Sequence, residues 1–380
     1  MSHDEPSQNS KHSQSTNVCV LSAAEARLSN RQLCEFYKEY WARPIALERE
    51  DFTDWQMNDA PLARGGNHSI VAIENDQIVA LMGCTPLPFR LGGDALRGAA
   101  LTTWVVSPAS RGKGVGTKIL ADLQNRYDLL VGSGISDAAL PLYLSAGFTY
   151  LSHMQRFFYI ADFGAAESFT SISLGARRIT ESRQGRADPL DVCAKPVLAA
   201  ELATQAVAFD DHHLFQRDAP HLSWRYDKHP AFHYEAFLIF DRSAQGDGAG
   251  IVLRSDAVDG VPFIHIVDLF GDPADLPAAI SFAEAEAARR GAAFVDMSGT
   301  SGVLSAVLRA RGWSSSLDDP LIQLPSLFYP VELRHPPTTS LALWSRSHQQ
   351  DVYDLSRLHV SRGDMDLDRP TMDWYERHAP

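Results

Sequence analysis

Cysteine is scarce in this 380-residue chain. There are four, Cys19, Cys34, Cys84 and Cys193, and no two of them form a CxxC pair. A structural zinc site or a disulfide framework is therefore not expected, and the pattern suits a reducing cytosol. Long apolar runs are missing too: none reaches the roughly 18 residues of a spanning helix. Residues 1–17 are polar and rich in Ser and Gln, without the apolar core of a signal peptide. Positive charge is in short supply. Lys and Arg number 34 against 47 Asp and Glu, for a net charge of −13. That balance argues against a sequence-independent nucleic-acid binder or an anionic-membrane binder, whose phosphate contacts need clustered Lys and Arg. What is present is ordinary for a globular chain: 45% apolar residues and 9% aromatics. At about 150 residues per domain the length predicts two domains. The expectation is a cytoplasmic two-domain enzyme or binding protein.

Residues 1–17 read as a disordered tail. In residues 18–162 the pattern predicts a helix near Asn30–Trp41, then a β-hairpin over His68–Gly83 with its tip at Glu74–Gln77. Pro86 and Pro88 interrupt the strand pattern, which resumes near Phe89. A strand over Ala99–Val106 runs into a glycine-rich turn and a helix with Val115, Ile119, Leu120 and Leu123 on one face. Strand Leu129–Val131, helix Ala138–Ser145 and strands Phe148–Tyr150 and Arg156–Ile160 follow. Residues 163–195 lack periodicity and read as a linker. Residues 196–337 open with an Ala-rich helix near Ala199–Phe209 and repeat the order strand, helix, strand, helix, then Gly312-Trp313 where the first unit has Gly147-Phe148. Residues 338–380 contribute a strand near Leu341–Trp344 and an acidic run.

The strongest chemical signal is Val106-Ser-Pro-Ala-Ser-Arg111-Gly-Lys-Gly-Val-Gly-Thr117. Glycines at 112, 114 and 116 let backbone approach a ligand closely. The free N–H groups of the helix that opens there converge on one spot, with the positive end of the helix dipole behind them. Arg111 and Lys113 add charge, so Arg111 to Thr117 form a candidate phosphate or pyrophosphate cradle. A Walker A loop needs Gly where Ser107 stands. A dinucleotide fingerprint needs a third Gly where Thr117 or Ile119 stands. The spacing present is Arg-x-x-Gly-x-Gly. The bland alternative is a turn that only joins strand to helix.

About 25 residues downstream lies Tyr143-Leu-Ser-Ala-Gly147-Phe148. With both motifs in order, residues 20–160 resemble the GNAT acetyltransferase superfamily. The resemblance implies an α/β (α+β) fold of two units, each a mixed, mostly antiparallel central sheet flanked by helices. It also implies that Arg111, Gly112, Lys113, Gly114, Val115, Gly116 and Thr117 bind the pyrophosphate of acetyl-CoA or another acyl-CoA. Backbone of Trp104, Val105 and Val106 would bind the pantetheine arm, and Tyr143 would protonate the leaving thiolate. A phenol with a pKa near 10 is protonated at neutral pH and suits that role; a buried packing ring is the alternative. Many relatives carry a Glu on the strand before the turn. This strand has none, and Thr102 and Thr103 are too weakly basic to hold a proton. A relayed water, His153 and Asp137 are the remaining candidates, and the base stays unassigned. No metal is expected.

The second unit has Asp272-Pro-Ala-Asp275 where a cradle would fall, and two carboxylates would repel a pyrophosphate. It resembles a degenerate copy, as in the tandem mycothiol synthase and Fem peptidyltransferase families. Leu222-Ser-Trp224-Arg225-Tyr226 and Gly363-Asp364-Met-Asp366-Leu-Asp368-Arg369-Pro370 resemble bacterial tandem acyltransferases of surface-sugar biosynthesis. Trp224 and Arg225 would stack on and hydrogen-bond an acceptor, or Trp224 would anchor the interdomain interface. Asp364, Asp366 and Asp368 would face an amino-sugar acceptor, or form a solvated tail. Arg369 and Tyr375 stand where a calcium loop needs Gly and Glu, which excludes an EF-hand. The expected activity is transfer of an acyl group to the amine of a small polar acceptor. A peptide or protein amine, or an acyl-CoA-binding regulator that has lost its base, are the alternatives.

Overall fold

The computed structural model describes residues 18–91, 93–207, 212–318, 321–335, 338–354, 357–364 and 368–378. The expected tail at 1–17 and the candidate Asp366 lie outside them. The first half carries β1 (Cys19–Ser22), α1 (Asn30–Tyr40), α2 (Glu50–Thr53), β2 (Ile70–Glu74), β3 (Gln77–Leu91), β4 (Asp94–Val106), α3 (Val115–Arg126), β5 (Leu129–Ser133), α4 (Leu140–Ser145), β6 (Thr149–Leu151) and β7 (Gln155–Ile160). Then come α5 (Phe163–Ala166), α6 (Leu174–Gln184), β8 (Val192–Val197), α7 (Ala203–Ala206), β9 (His213–Phe215), α8 (Ala219–Leu222), β10 (Glu235–Asp241), β11 (Ala249–Val258) and β12 (Val261–Gly271). The chain closes with α9 (Leu276–Arg289), β13 (Phe294–Gly299), α10 (Gly302–Ala310), β14 (Ser314–Ser315), β15 (Leu327–Phe328), β16 (Val331–Glu332), β17 (Leu341–Ser345), β18 (Leu358–His359) and α11 (Met372–His378).

Two mixed sheets organise these elements. The first runs β1-β2-β3-β4-β5-β17-β6, with β9 and β18 on the flank of β3, and the second runs β14-β7-β13-β12-β11-β10-β8. The units exchange strands. β7 leaves the first half to pair with β13 and β14, while β17 returns from the chain's end to lie between β5 and β6. This differs from the expected boundaries at 162 and 337. The aromatic and β-branched run Phe157–Ile160 announces a strand but carries no information about its partner.

Three local readings also change. The stretch 163–195 is structured rather than a plain linker: Ser173 caps α6 by accepting from the Ala176 N–H, and β8 is the edge of the second sheet. α6 buries only Ala176 and Thr180, which explains why no period was visible. Pro86 and Pro88 do not break β3, which is continuous over 15 residues. β2 stops pairing at Met82, so the two missing N–H groups fall where no β2 ladder bond was due. The described part of the helix expected over 199–209 is a 3-10 turn at Ala199–Leu202 followed by the single α-turn of α7, and residues 208 and 209 lie outside the described residues.

The first sheet has a different apolar layer on each face. Val115, Ile119, Leu120, Leu123 and Tyr143 from α3 and α4 pack on one side, and Leu33, Phe36, Phe52 and Trp55 from α1, α2 and the turn after it pack on the other. A ligand on the α3–α4 face and one on the α1–α2 face can therefore meet only through an opening in the sheet.

Candidate functional site

That opening is at the end of β4. β4 pairs in parallel with β5 from Gly98 to Leu101, then continues to Val106 without it. The register of β3 against β4 shifts here: Gly83 faces Thr102 and Met82 faces Trp104, so Thr103 is the extra residue of a β-bulge. A Cβ on Gly83 would lie 2.2 Å from the Thr102 methyl group, so only glycine permits this approach. The Tyr37 hydroxyl donates to the Thr103 carbonyl at 3.3 Å and holds the bulge from the α1 side.

The cradle lies on the α3 face. Gly112 and Gly114 have φ of 74° and 75°, the left-handed region that favours glycine. α3 begins at Val115, and Lys118 donates to the Gly114 carbonyl. The N–H groups of Val115, Gly116 and Thr117 therefore lack partners within the helix. Arg111, Gly112, Lys113 and Gly114 are exposed, and Arg111 Nε donates to the Val106 carbonyl at 3.2 Å. Gly116 serves packing instead of φ: a Cβ there would sit 2.8 Å from the Trp104 ring. The Trp104 Nε1–H is buried and has no acceptor, while Val105 is buried on the opposite face.

Tyr143 stands at the apex of the opening. Its ring is edge-on to Trp104 at 5.8 Å and to Phe148 at 4.9 Å. A Cβ added to Gly132, where β5 parts from β4, would lie 3.4 Å from the Tyr143 hydroxyl. Burial pushes this phenol well above its ordinary range, so it is a proton donor at neutral pH.

On the α1–α2 face a cavity of about 40 Å³ reaches the same opening, lined by Gln56, Thr102, His221, Trp224, Arg225 and Arg369 among others. Both units build it. Trp55 and Trp224 stack at 5.1 Å, and each indole N–H donates to the other's backbone carbonyl, at 3.0 and 2.8 Å. Trp224 is thus an interdomain anchor that also walls the cavity. Arg225 is held by Gly363 O at 2.6 Å and the Tyr234 hydroxyl at 3.1 Å.

Asp364 and Asp368 line this cavity, but both are engaged by buried partners and neither belongs to a solvated tail. Asp364 accepts from Arg217 at 2.6 Å, and Asp368 accepts from Arg254 at 2.8 Å and Tyr234 at 2.7 Å, all buried. Burial raises the Asp364 carboxyl despite Arg217. Burial opposes ionisation of Asp368 as well, but Arg254, Arg362 and Arg225 outweigh it and hold the carboxyl low. The residue that sequence reasoning missed is Arg369. Its Nη1 donates to the hydroxyls of Thr102 and Thr103 at 3.2 and 3.1 Å, placing a guanidinium at the bulge. No local signal could announce a contact across more than 260 residues. His153 and Asp137 do not line the cavity.

The second unit repeats the bulge and the splay. β12 pairs with β13 only from Ile264 to Ile266 and runs on to Gly271, with Val267 as the extra residue. Its opening is filled by the chain itself. Ser361 bridges to Gly299, and Thr300 N–H donates to the Val360 carbonyl at 3.0 Å. Asp275 closes the turn before α9 by accepting from the Gly248 N–H at 3.1 Å.

Two histidines at the interdomain joint give a pH prediction. His221 is fully buried, and burial lowers its pKa to about 3. His229 is lowered to about 2, chiefly by burial; its Nδ1 accepts from the N–H groups of Ala231 and Phe232 and cannot also hold a proton. The unfolded chain takes up these protons near pH 6.5 and the folded chain does not. Their stabilisation is complete above pH 6.5 and is lost as the pH falls toward the folded values. By linkage each accounts for up to about 2 kcal/mol at pH 5. Urea unfolding at pH 7.5 and pH 5.0 should differ by a few kcal/mol, with a smaller difference in His229→Gln. Equal stability at both pH values would refute the assignment.

With this geometry in hand, comparison with known proteins is informative. Residues 27–150 match the family model of the acetyltransferase (GNAT) domain. Among solved structures, a probable N-acyltransferase from Enterococcus faecalis V583 superposes with a TM-score of 0.55 at 12% identity, covering 86% of this chain and 72% of that one. A GCN5-related N-acetyltransferase from Anabaena variabilis ATCC 29413 gives 0.51 at 12% identity over the same shares. At this identity the likeness is one of fold. No curated protein sequence matches the chain.

Proposed function

From the premise that residues 27–150 are a GNAT acetyltransferase domain, we propose that the chain is an acyl-CoA-dependent N-acyltransferase with one working site, acting on a small polar amine. The observation that carries this is the opening at the β4 bulge, with a glycine cradle on one face of the sheet and a cavity built by both units on the other. The pyrophosphate of CoA would take the free N–H groups of Val115–Thr117 together with Arg111 and Lys113. The pantetheine arm would follow β4 past Trp104, whose unpaired Nε1–H suits one of its carbonyls. The neutral acceptor amine attacks the thioester carbon, the C–S bond breaks, Tyr143 gives its proton to the departing thiolate, and the proton shed by the new amide nitrogen restores the phenol by way of solvent.

The cavity favours the amino end of a small acceptor over a protein surface, because Gly363, Asp364, Asp368, Arg369 and the Trp55–Trp224 stack wall it on several sides. The second unit takes no part in CoA binding on this account, since its opening is filled and its turn is closed by Asp275.

Calorimetry with acyl-CoA should give one site per chain. Gly114→Asp should abolish that site. Its Cβ would meet no neighbour within 4 Å, so the damage comes from φ and from a carboxylate placed in the cradle. Two equivalent sites, or undiminished binding in the variant, would overturn the proposal. A turnover screen with nucleotide amino sugars, free amino acids and peptides identifies the acceptor.

A further inference from the structure

A second cavity, of about 50 Å³, adjoins the first through Arg369, which lines both. Its polar wall is Arg254, Asp256, His265, Ser326, Arg362 and Arg369, closed by the rings of Phe232, Phe328 and Trp374. Three guanidiniums therefore face it. The carboxylate among its described lining residues, Asp256, is already engaged by Arg254 Nη1 at 2.7 Å and by the Tyr329 hydroxyl at 2.5 Å. Asp296 and Asp368 hold Arg362 and Arg254 without lining the cavity. His265 adds no negative charge in any protonation state.

Two donors in this wall have no acceptor, the Ser326 hydroxyl and one N–H of Arg362. Arg362 Nη2 donates to Asp296 at 3.1 Å and to Ser298 at 3.4 Å, but its Nε–H is buried and unpaired. A buried cationic donor left unpaired is costly, and the arrangement asks for an oxygen acceptor that the protein itself does not provide. The volume corresponds to about three or four water-sized probes, enough for a carboxylate or a phosphate group and too little for a ring.

We propose that this cavity is an oxyanion subsite of the acceptor site. It takes the carboxylate or phosphate of an anionic amine whose amino group lies in the first cavity at the β4 bulge. The acceptor is then recognised by Arg362 and Arg369, with Asp296 positioning the first and the hydroxyls of Thr102 and Thr103 the second. This deepens the acyltransferase reading and rests on it.

Two measurements test the proposal, and they separate its failure from failure of that reading. The first is binding without turnover. Full-length protein carrying Gly114→Asp, so that the cradle does not compete, is titrated calorimetrically with inorganic phosphate and, separately, with acetate. Saturable binding of one of them at one site is expected, weakened at least tenfold by adding Arg362→Gln. No saturable binding, or binding indifferent to Arg362, overturns the proposal and leaves the acyl-CoA site untouched. The second compares propylamine, β-alanine and O-phosphoethanolamine as acceptors. The wild type should prefer one anionic amine by at least tenfold in kcat/KM, which also tells carboxylate from phosphate. Arg362→Gln should erase the preference by raising KM for that amine alone. Equal use of propylamine, or a loss shared by all three amines at an unchanged melting temperature, refutes it. If Arg362→Gln melts early, Arg362→Lys, which keeps the charge but not the fork, takes its place and should retain part of the preference.

Discussion

Tyr143→Phe should lower kcat by roughly 10²- to 10⁴-fold, the usual contribution of a positioned general acid, with acyl-CoA affinity nearly unchanged. The substitution keeps the ring contacts to Trp104 and Phe148. It breaks no internal hydrogen bond, because the Tyr143 hydroxyl makes none with another described residue. The melting temperature should therefore stay put, and the kinetic loss isolates the proton. The chemistry supplies a second readout. A thioester whose leaving thiol has a low pKa departs as a stable thiolate and needs little protonation. With such a donor the penalty of Tyr143→Phe should shrink toward unity, while with acyl-CoA it remains large. Wild-type turnover in the variant, or an equal penalty with both donors, would remove Tyr143 from the role.

The parts of the molecule legible in the sequence are those whose signal is local. The cradle is contiguous from Arg111 to Thr117, and each glycine answers a nearby demand: left-handed φ at 112 and 114, close packing under Trp104 at 116. Tyr143 lies within six residues of the Gly147-Phe148 that marks it. On the acceptor side the sequence singles out Trp224, Arg225, Asp364 and Asp368, which line the cavity, whereas Gln56 and Arg369 reach it only through the folding of both units and left no local signal. Strand exchange hid for the same reason, since β7 and β17 are ordinary apolar strands whose partners are set by tertiary packing. Asp364 and Asp368 are buried, so the solvated-tail alternative fails for them. Solvated carboxylates and carboxylates clamped by distant arginines look alike in one dimension. Only the positions of Arg217 and Arg254 distinguish them.

That clamp makes the second large prediction. Arg217 is fully buried and joins three segments: Asp268 of β12 at 2.7 Å, Asp364 of the C-terminal segment at 2.6 Å, and the Phe215 carbonyl of β9 at 3.0 Å. Arg217→Met preserves the stem and removes the charge. Two buried carboxylates are then left facing each other without a cation, and breaking such a pair typically costs about 3–5 kcal/mol. The pH dependence identifies the cause. In the wild type burial opposes ionisation of Asp268, but Arg217 holds its carboxyl below the ordinary value. Without Arg217 burial and mutual repulsion raise the folded pKa of the pair above the unfolded one. The folded variant then binds more protons than the unfolded chain, so its deficit is largest at neutral pH and narrows as the pH falls toward the unfolded carboxylate range. Urea unfolding of the two proteins at pH 8 and pH 5 should show that convergence. Adding Asp268→Asn to Arg217→Met should recover part of the loss at pH 8, since one of the unpaired charges is gone. A deficit below about 1 kcal/mol, or one that does not change with pH, would mean that the arginine fills space without neutralising the pair. The expected result would instead establish that electrostatics pins the C-terminal segment into the opening of the second sheet, and with it the backbone that carries Arg369 to the β4 bulge.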